Sequence, residues 1–268
     1  GAPELCDGLQ NDCLDVTWTD DDGTASLEAP DGTWTDLTGD LTGTTLAPAT
    51  SILGDPGTLW VCAGEWYVNL VVAEDVDIVG RDGAENTVLD GVNTSSVVAI
   101  LVDDLTVSME DLTVQNGAGI GVNYGGTLLD SGGGVLCLAE SALSVSGVDF
   151  INNDTDAGGG IAAIGGCLLD VEDSTFEDNT AYYGAGVMLF EDGAATLSEV
   201  SFTDNTGTNG GGMYVQDSEL TAEGVTFTGN AAELGGAVYG AAATAVMSNA
   251  SFDRNESTSY GGAIVAES

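Results

Sequence analysis

The stretch GGGVLCLAESALSVSGVDFINNDTDAGGGIAAIGGCLLDVEDSTFEDNT, residues 132–180, contains nearly two copies of one pattern. A glycine-rich opening leads into an apolar run, then an alternating segment, then a phenylalanine with asparagine three residues behind it. Following these markers along the chain gives first glycines at Gly132, Gly158, Gly184, Gly210, Gly235 and Gly261, and phenylalanines at Phe150, Phe176, Phe202, Phe227 and Phe252. The partner asparagines are Asn153, Asn179, Asn205, Asn230 and Asn255. Both markers recur every 25 or 26 residues, and a fixed period of this length marks a repeat architecture before any other feature is weighed.

Between the markers the residues alternate as strands do. Seven and five residues before each phenylalanine stand Leu143/Val145, Leu169/Val171, Ala195/Leu197, Leu220/Ala222 and Ala245/Met247. Between them lie Ser144, Asp170, Thr196, Thr221 and Val246. One face of this strand is therefore apolar and the other mostly polar. The parity slips at Gly147, Asp173, Glu199, Gly224 and Asn249, where a bend between two short strands is expected. Coils of this kind stack as parallel strands about 4.8 Å apart, placing equivalent residues above one another. The phenylalanines then form an internal stack and the asparagines an amide ladder. The leucine and asparagine spacing of a leucine-rich horseshoe is absent. The expected fold is all-β: a right-handed, single-stranded parallel β-helix of about eight coils over residues 58–268, behind an acidic segment over 1–57.

The paired strings FINN, FEDN, FTDN, FTGN, FDRN and GGGI, GAGV, GGGM, GGAV, GGAI resemble the repeat of chlamydial polymorphic outer membrane proteins. That repeat also occurs in secreted bacterial proteins of the pectate-lyase-like β-helix class. LWVCAGEWYVNLVV (59–72), DVDIVGRDGAENTVLDG (75–91) and DLTVQNGAG (111–119) look like the opening coils of such solenoids. The resemblance implies a β-helix in a secreted or surface setting, with adhesion as one of its uses. In the N-terminal segment, PELCDGLQNDCLD (3–15) resembles the acidic C-D-G-x-x-N-D-C segments of myxobacterial secreted proteins, which implies a metal-binding loop. Gln10 and Leu14 stand where that pattern has acids. Asp7, Asp12 and Asp15, with Asp20 and Asp22 of the following TWTDDDGT, are the candidate ligands for calcium, a hard cation that takes 6–8 oxygens. Cys6 and Cys13, close together in a turn-rich segment, are expected to form a disulfide, and the competing reading is that this pinned acidic turn holds no ion. Cys62, Cys137 and Cys167 lie in apolar surroundings that suit either a buried thiol or a bridge.

Forty-four acids against two arginines, with no lysine or histidine, give a formal net charge of −42. Such a chain does not neutralise phosphates, which excludes nucleic acid and anionic membrane surfaces as partners. No apolar run approaches the roughly 20 residues of a membrane span. Catalysis is not expected. Lyases acting on uronates need cationic neutralisation, and Arg81 and Arg254 stand alone. Carboxylate pairs such as those among Asp170, Glu172 and Asp173 arise by chance in so acidic a chain and read as a solvated edge. No cofactor is expected other than calcium.

The strand after the glycines is apolar on both faces. Three and five residues after each first glycine come Val135/Cys137, Ile161/Ala163, Val187/Leu189, Met213/Val215, Val238/Gly240 and Ile264/Ala266. The opposite face carries Leu136, Leu138, Ile164, Met188, Phe190, Tyr214, Tyr239 and Val265. Sheets with two apolar faces are normally covered on both, so this second set is a candidate interaction stripe. Its cover is the segment 1–57 folding back, a neighbouring copy of the chain, or a foreign partner. The sequence stops at GGAIVAES (261–268), after one strand of a sixth marked coil. That leaves a fragment of a longer protein or an end capped by another molecule, and a head-to-tail contact would build a filament. Tyr182, Tyr183 and Tyr260 precede glycine openings, where they stack on sugars or pack over turns. These features together point to an extracellular or cell-surface structural protein, self-associating or holding a glycan or protein ligand.

Overall fold

Four corners per coil take the left-handed backbone region: one follows the glycine-led strand, at Ala139, Gly165, Glu191, Asp217 and Ala242, and the other three account for the spacing of the markers. The first glycine is one of them. Gly210 has φ +72°, and a Cβ placed there would sit 1.9 Å from the Met213 carbonyl oxygen, so the chain reverses more sharply than any side chain allows. The second is the position where the parity slips: Gly147, Asp173, Glu199, Gly224 and Asn249 have φ between 47° and 67°. The third is the residue before each ladder asparagine: Asn152, Asp178, Asp204, Gly229 and Arg254, with φ from 52° to 69°. Short polar residues and glycine adopt this region most easily, which is why most of these corners are Asn, Asp or Gly.

The computed structural model describes residues 24–37, 41, 43–44 and 48–268. Its 32 elements among the described residues are all strands. One full coil runs Val187–Phe190, Ala194–Ser198, Ser201–Thr203 and Thr206–Asn209, and each strand pairs in parallel with its equivalent in the next coil. The sheet preceding the phenylalanines stacks eight parallel strands, from Gly57–Val61 to Thr244–Ser248. The molecule is thus a parallel β-solenoid of about eight turns. The earliest turns depart from the 26-residue period. The nine-residue strand Gly64–Val72 passes without a corner from the phenylalanine sheet into the glycine-led sheet, pairing with Thr87–Asp90 by its first half and Val98–Ile100 by its second.

Inside the coils the phenylalanines stack in register. Ring centroids from Phe150 to Phe227 are 4.7–4.8 Å apart and nearly parallel, with Phe252 a further 5.1 Å on. Beside them runs the amide ladder. Asn153, Asn179, Asn205 and Asn230 are wholly buried. Each Nδ2 donates to the Oδ1 of the next asparagine, at 2.9–3.0 Å, out to Asn255. Each Nδ2 also donates to a backbone carbonyl, in four cases that of a phenylalanine, and each Oδ1 from Asn179 onward accepts the backbone N–H of the asparagine before it. Buried amides have every reason to be paired in this way, because an unpaired one costs on the order of 1–3 kcal/mol.

Cys137 and Cys167, both buried, form a disulfide joining one coil to the next across 30 residues. Closing a loop of that length removes chain entropy worth about 3–4 kcal/mol. Cys62 is disulfide-bonded as well. The expected Cys6–Cys13 pair lies outside the described residues.

Solenoid strands begin at Ala49–Leu53, which pairs in parallel with residues 68–72, ahead of the expected boundary at residue 58. Ala25–Glu28 runs antiparallel to Gly57–Val61 and carries Trp34–Asp36 on its other edge. These two strands occupy the end of the sheet that precedes the phenylalanines and do not reach over the stripe. A reversed, short edge of this kind ends strand pairing.

Candidate functional site

The stripe is where expectation and structure part most clearly. Leu136, Ile164, Met188, Tyr214 and Tyr239 are buried and belong to a second hydrophobic cluster, with Leu138, Phe190 and Val265 packed against it half-buried. Residues 25–36 do not supply the cover. The chain supplies it from its own middle. At the corner between the phenylalanine sheet and the glycine-led sheet, the segment after Gln115 grows a hairpin, Ile120–Tyr124 and Thr127–Ser131. In later coils the same corner holds a fourth sheet: Thr180–Tyr183, Thr206–Asn209, Ala231–Leu234 and Glu256–Tyr260. Bridges from Ser131 to Ala157 and from Ala157 to Tyr183 join the hairpin to that sheet. Sharp reversal at the first glycine of each coil lays the fourth sheet back against the glycine-led sheet, so its apolar residues meet the stripe.

The hairpin turns on Gly125 and Gly126, both with positive φ, as a two-residue loop requires. Asn123 Oδ1 accepts the Gly126 N–H at 2.7 Å. Tyr124 then stands edge-to-face with Phe190, at 5.3 Å and 75°. Farther along, Tyr183 meets Tyr214 edge-to-face at 5.3 Å and 68°, and Tyr214 stacks on Tyr239. Between these groups lies a cleft of about 310 Å³, lined by Tyr124, Thr127, Leu129, Tyr183, Met188, Phe190, Tyr214 and Gln216. The volume stands at the lower end of the range for small-ligand sites, and the lining, mostly aromatic and apolar with a few polar groups, is of the kind they have.

The polar groups of the cleft are largely engaged. Tyr124 Oη shares a hydrogen with Ser131 Oγ at 2.9 Å. Tyr214 donates its hydroxyl hydrogen to Gln216 Oε1, and Gln216 Nε2 donates to Asp217 Oδ2 at 3.1 Å. Tyr239 donates to Glu267 Oε2 at 2.8 Å. Burial pushes the Tyr124 and Tyr214 hydroxyls from the ordinary value of 10 up to about 12, with nearby carboxylates adding to the effect. Both folded values lie above the unfolded one, so their contribution to stability is whole below pH 10 and is lost as pH rises through about 12. In an alkaline titration, two of the seven tyrosines should therefore ionise only as the hairpin layer opens. Tyrosinate absorbance recorded together with circular dichroism checks this: the last absorbance step should coincide with the first loss of strand signal.

The other sites read from the sequence are not drawn together. Asp7, Asp12, Asp15, Asp20 and Asp22 lie outside the described residues, and among the described residues no three Asp, Glu, Cys or His side chains converge as metal ligands. Arg81 sits 5.9 Å from the Trp60 ring centroid. Arg254, in the left-handed corner before Asn255, pairs with its neighbour Asp253 at the surface. Asp170, Glu172 and Asp173 are exposed. Of the three tyrosines before glycine openings, Tyr183 packs into the cleft while Tyr182 and Tyr260 are exposed.

Sequence reasoning missed Tyr124 and the whole hairpin. The signal was present: Ile120, Val122 and Tyr124 alternate with Gly121 and Asn123, then Gly-Gly, then Thr127 to Ser131. It was lost because the hairpin occurs in one coil only and breaks the period on which the reading relied.

No curated protein and no solved structure matches the chain. A family model described as a right handed beta helix region matches residues 82–268. That span is well over half of the 268 residues, and with the parallel coils already described it places the chain in the right-handed β-helix family.

Proposed function

We propose that the chain is a non-catalytic β-helix of a secreted or cell-surface bacterial protein, and that it works by adhesion, holding a ligand in the cleft beneath the 120–131 hairpin. The observation that carries this reading is the cleft itself: a hollow of about 310 Å³ walled by Tyr124, Tyr183, Phe190 and Tyr214. The tripled glycines and FxxN corners, which resemble the polymorphic outer membrane protein repeat, support the surface setting, and disulfide bonding at Cys62, Cys137 and Cys167 supports an oxidising one. The absence of histidine and lysine from the sequence, with Arg81 against Trp60 and Arg254 against Asp253, supports a role other than catalysis on anionic polysaccharide. Asp7, Asp12, Asp15, Asp20 and Asp22 stay the candidate calcium ligands in this reading.

Self-assembly is the other reading of the sequence, and it draws on the stripe that is apolar on both faces and on head-to-tail contact between coils. With Leu136, Ile164, Met188, Tyr214 and Tyr239 buried by the chain's own hairpin and fourth sheet, the stripe itself is not a free apolar face for lateral self-association. Sedimentation velocity at high micromolar concentration, in physiological salt with millimolar calcium and again with chelator, should show one elongated species of about 27 kDa. Concentration-dependent growth in either condition would return the fibre reading.

A further inference from the structure

We propose that the cleft takes an organic cation of the quaternary-ammonium class, an inference that rests on the binding reading above and names its ligand. Two edge-to-face pairs, Tyr124–Phe190 and Tyr183–Tyr214, border one hollow with ring planes 75° and 68° apart. Aromatic side chains from two steeply angled pairs therefore line the hollow, and Met188 adds a polarisable thioether to the lining. Aromatic rings present a negative quadrupole to a cation, and a desolvated cation gains most from it.

Charge selects the same class. The protein carries −42 formally, and neither of its arginines lines the cleft. Carboxylates stand directly behind the walls. Asp217 accepts from Gln216, and Glu267 accepts from Tyr239, whose ring stacks on Tyr214. Glu191 follows Phe190 in sequence. An anion entering here would meet this field with no counter-charge, whereas a cation is drawn in by it.

The polar inventory then separates quaternary from primary ammonium, and both from sugars. An –NH3+ group brings three donors that need acceptors once buried. No carboxylate lines the cleft; Gln216 Oε1 already accepts from Tyr214 and the Tyr124 hydroxyl is engaged with Ser131, which leaves mainly the Thr127 and Tyr183 hydroxyls to serve three buried donors. A sugar would bury several hydroxyls against the same shortage, and each unpaired one is costly. A tetraalkylated nitrogen has no N–H to satisfy and an apolar surface that suits the rings.

The test uses the intact chain and two probes of equal shape. Choline and its uncharged carbon isostere, 3,3-dimethylbutan-1-ol, are titrated by calorimetry and by tyrosine fluorescence. Choline is expected to bind about ten-fold or more tightly than the isostere. Tyr214→Leu and Tyr183→Leu are each expected to weaken choline by a similar factor, with the circular dichroism spectrum unchanged. Equal binding of both probes overturns the proposal in favour of an apolar pocket, and so does tighter binding of a neutral sugar such as N-acetylglucosamine. Absence of choline binding to the wild type also overturns it. Failure of the parent reading is distinct, because it shows as self-association in the sedimentation experiment whatever choline does.

Discussion

Asn205→Ala should cost the protein roughly 4–6 kcal/mol, counting three buried groups orphaned at about 1–3 kcal/mol each with a small cavity added. The Asn205 side chain serves both neighbouring coils. Its Oδ1 accepts the Asn179 backbone N–H and one Asn179 Nδ2 hydrogen. Its Nδ2 donates to the Phe176 carbonyl and to Asn230 Oδ1. Truncation leaves the two Asn179 donors without this acceptor and takes a donor from the Phe176 carbonyl, all in a wholly buried site, while Asn230 Oδ1 loses one donor but keeps the Asn205 backbone N–H. That is a large share of the 5–15 kcal/mol by which domains are usually stable. Because a solenoid is held by neighbour-to-neighbour terms, the loss should appear as an earlier unfolding transition beginning at these coils. Urea unfolding followed by circular dichroism, with hydrogen exchange to locate the opening, reads both. Asn205→Asp gives the mechanism its own signature. The aspartyl group keeps the acceptors that Asn179 uses but meets the Phe176 carbonyl and Asn230 Oδ1 without a hydrogen when ionised. Burial raises the pKa of such a carboxyl in the folded state, so this variant should regain stability as pH falls and its side chain takes up a proton. Indifference to pH would show that the ladder is packing alone.

Gly210→Ala should cost about 3–5 kcal/mol, a size reserved for a few mechanisms of which backbone strain with overpacking is one. A left-handed conformation alone costs an alanine roughly 1–2 kcal/mol. The rest comes from contact. The added carbon would lie 1.9 Å from the Met213 carbonyl oxygen and 2.5 Å from its carbon. Met213 is hydrogen-bonded in register between Val187 and Val238, so its peptide cannot yield without disturbing three coils. Gly165→Ala is the control: its φ is +67°, yet nothing lies closer than 3.8 Å to the added carbon. It should lose only the conformational part. Denaturant midpoints of the two variants compared with the parent give the difference directly, and equal losses would assign the whole effect to φ.

The repeat was legible because the solenoid imposes the same demand on every coil. A ring stack, an amide ladder and a sharp reversal each fill one residue type, so Phe202, Asn205 and Gly210 have counterparts at fixed offsets. The ladders also explain why the period wavers without harm. Phe190 pairs with Gln216 and Ala194 with Glu219, so the turn between those two strands is one residue shorter in the later coil. The lost residue comes out of the turn, and both strands keep register. The fourth sheet was not legible for a complementary reason. Thr180–Tyr183, Thr206–Asn209 and Ala231–Leu234 share no apolar alternation, since the residues that pack there change from coil to coil, Tyr183 in one and Leu234 in another. The stripe was read correctly as apolar on both faces and in need of cover. Its cover is a hairpin that no periodic argument finds, together with the fourth sheet. The boundary at 58 failed on physical grounds too: Ala49–Leu53 joins its sheet by backbone pairing with residues 68–72, which leaves no repeat marker in the sequence.

Strands here lie across the long axis and their hydrogen bonds run along it, so tension between the two ends of the molecule would not load those bonds together. It would peel them row by row, one coil yielding before the next is touched. Each coil of about 25 residues that lets go would hand over on the order of 85 Å of chain in exchange for about 4.8 Å of stacked height. The Cys137–Cys167 bond interrupts that sequence, because the 30 residues it spans stay looped however hard the ends are drawn. Under load the later coils would behave as a coiled reserve of slack, and the bridged pair as a covalent stop standing beside the hairpin that roofs the cleft.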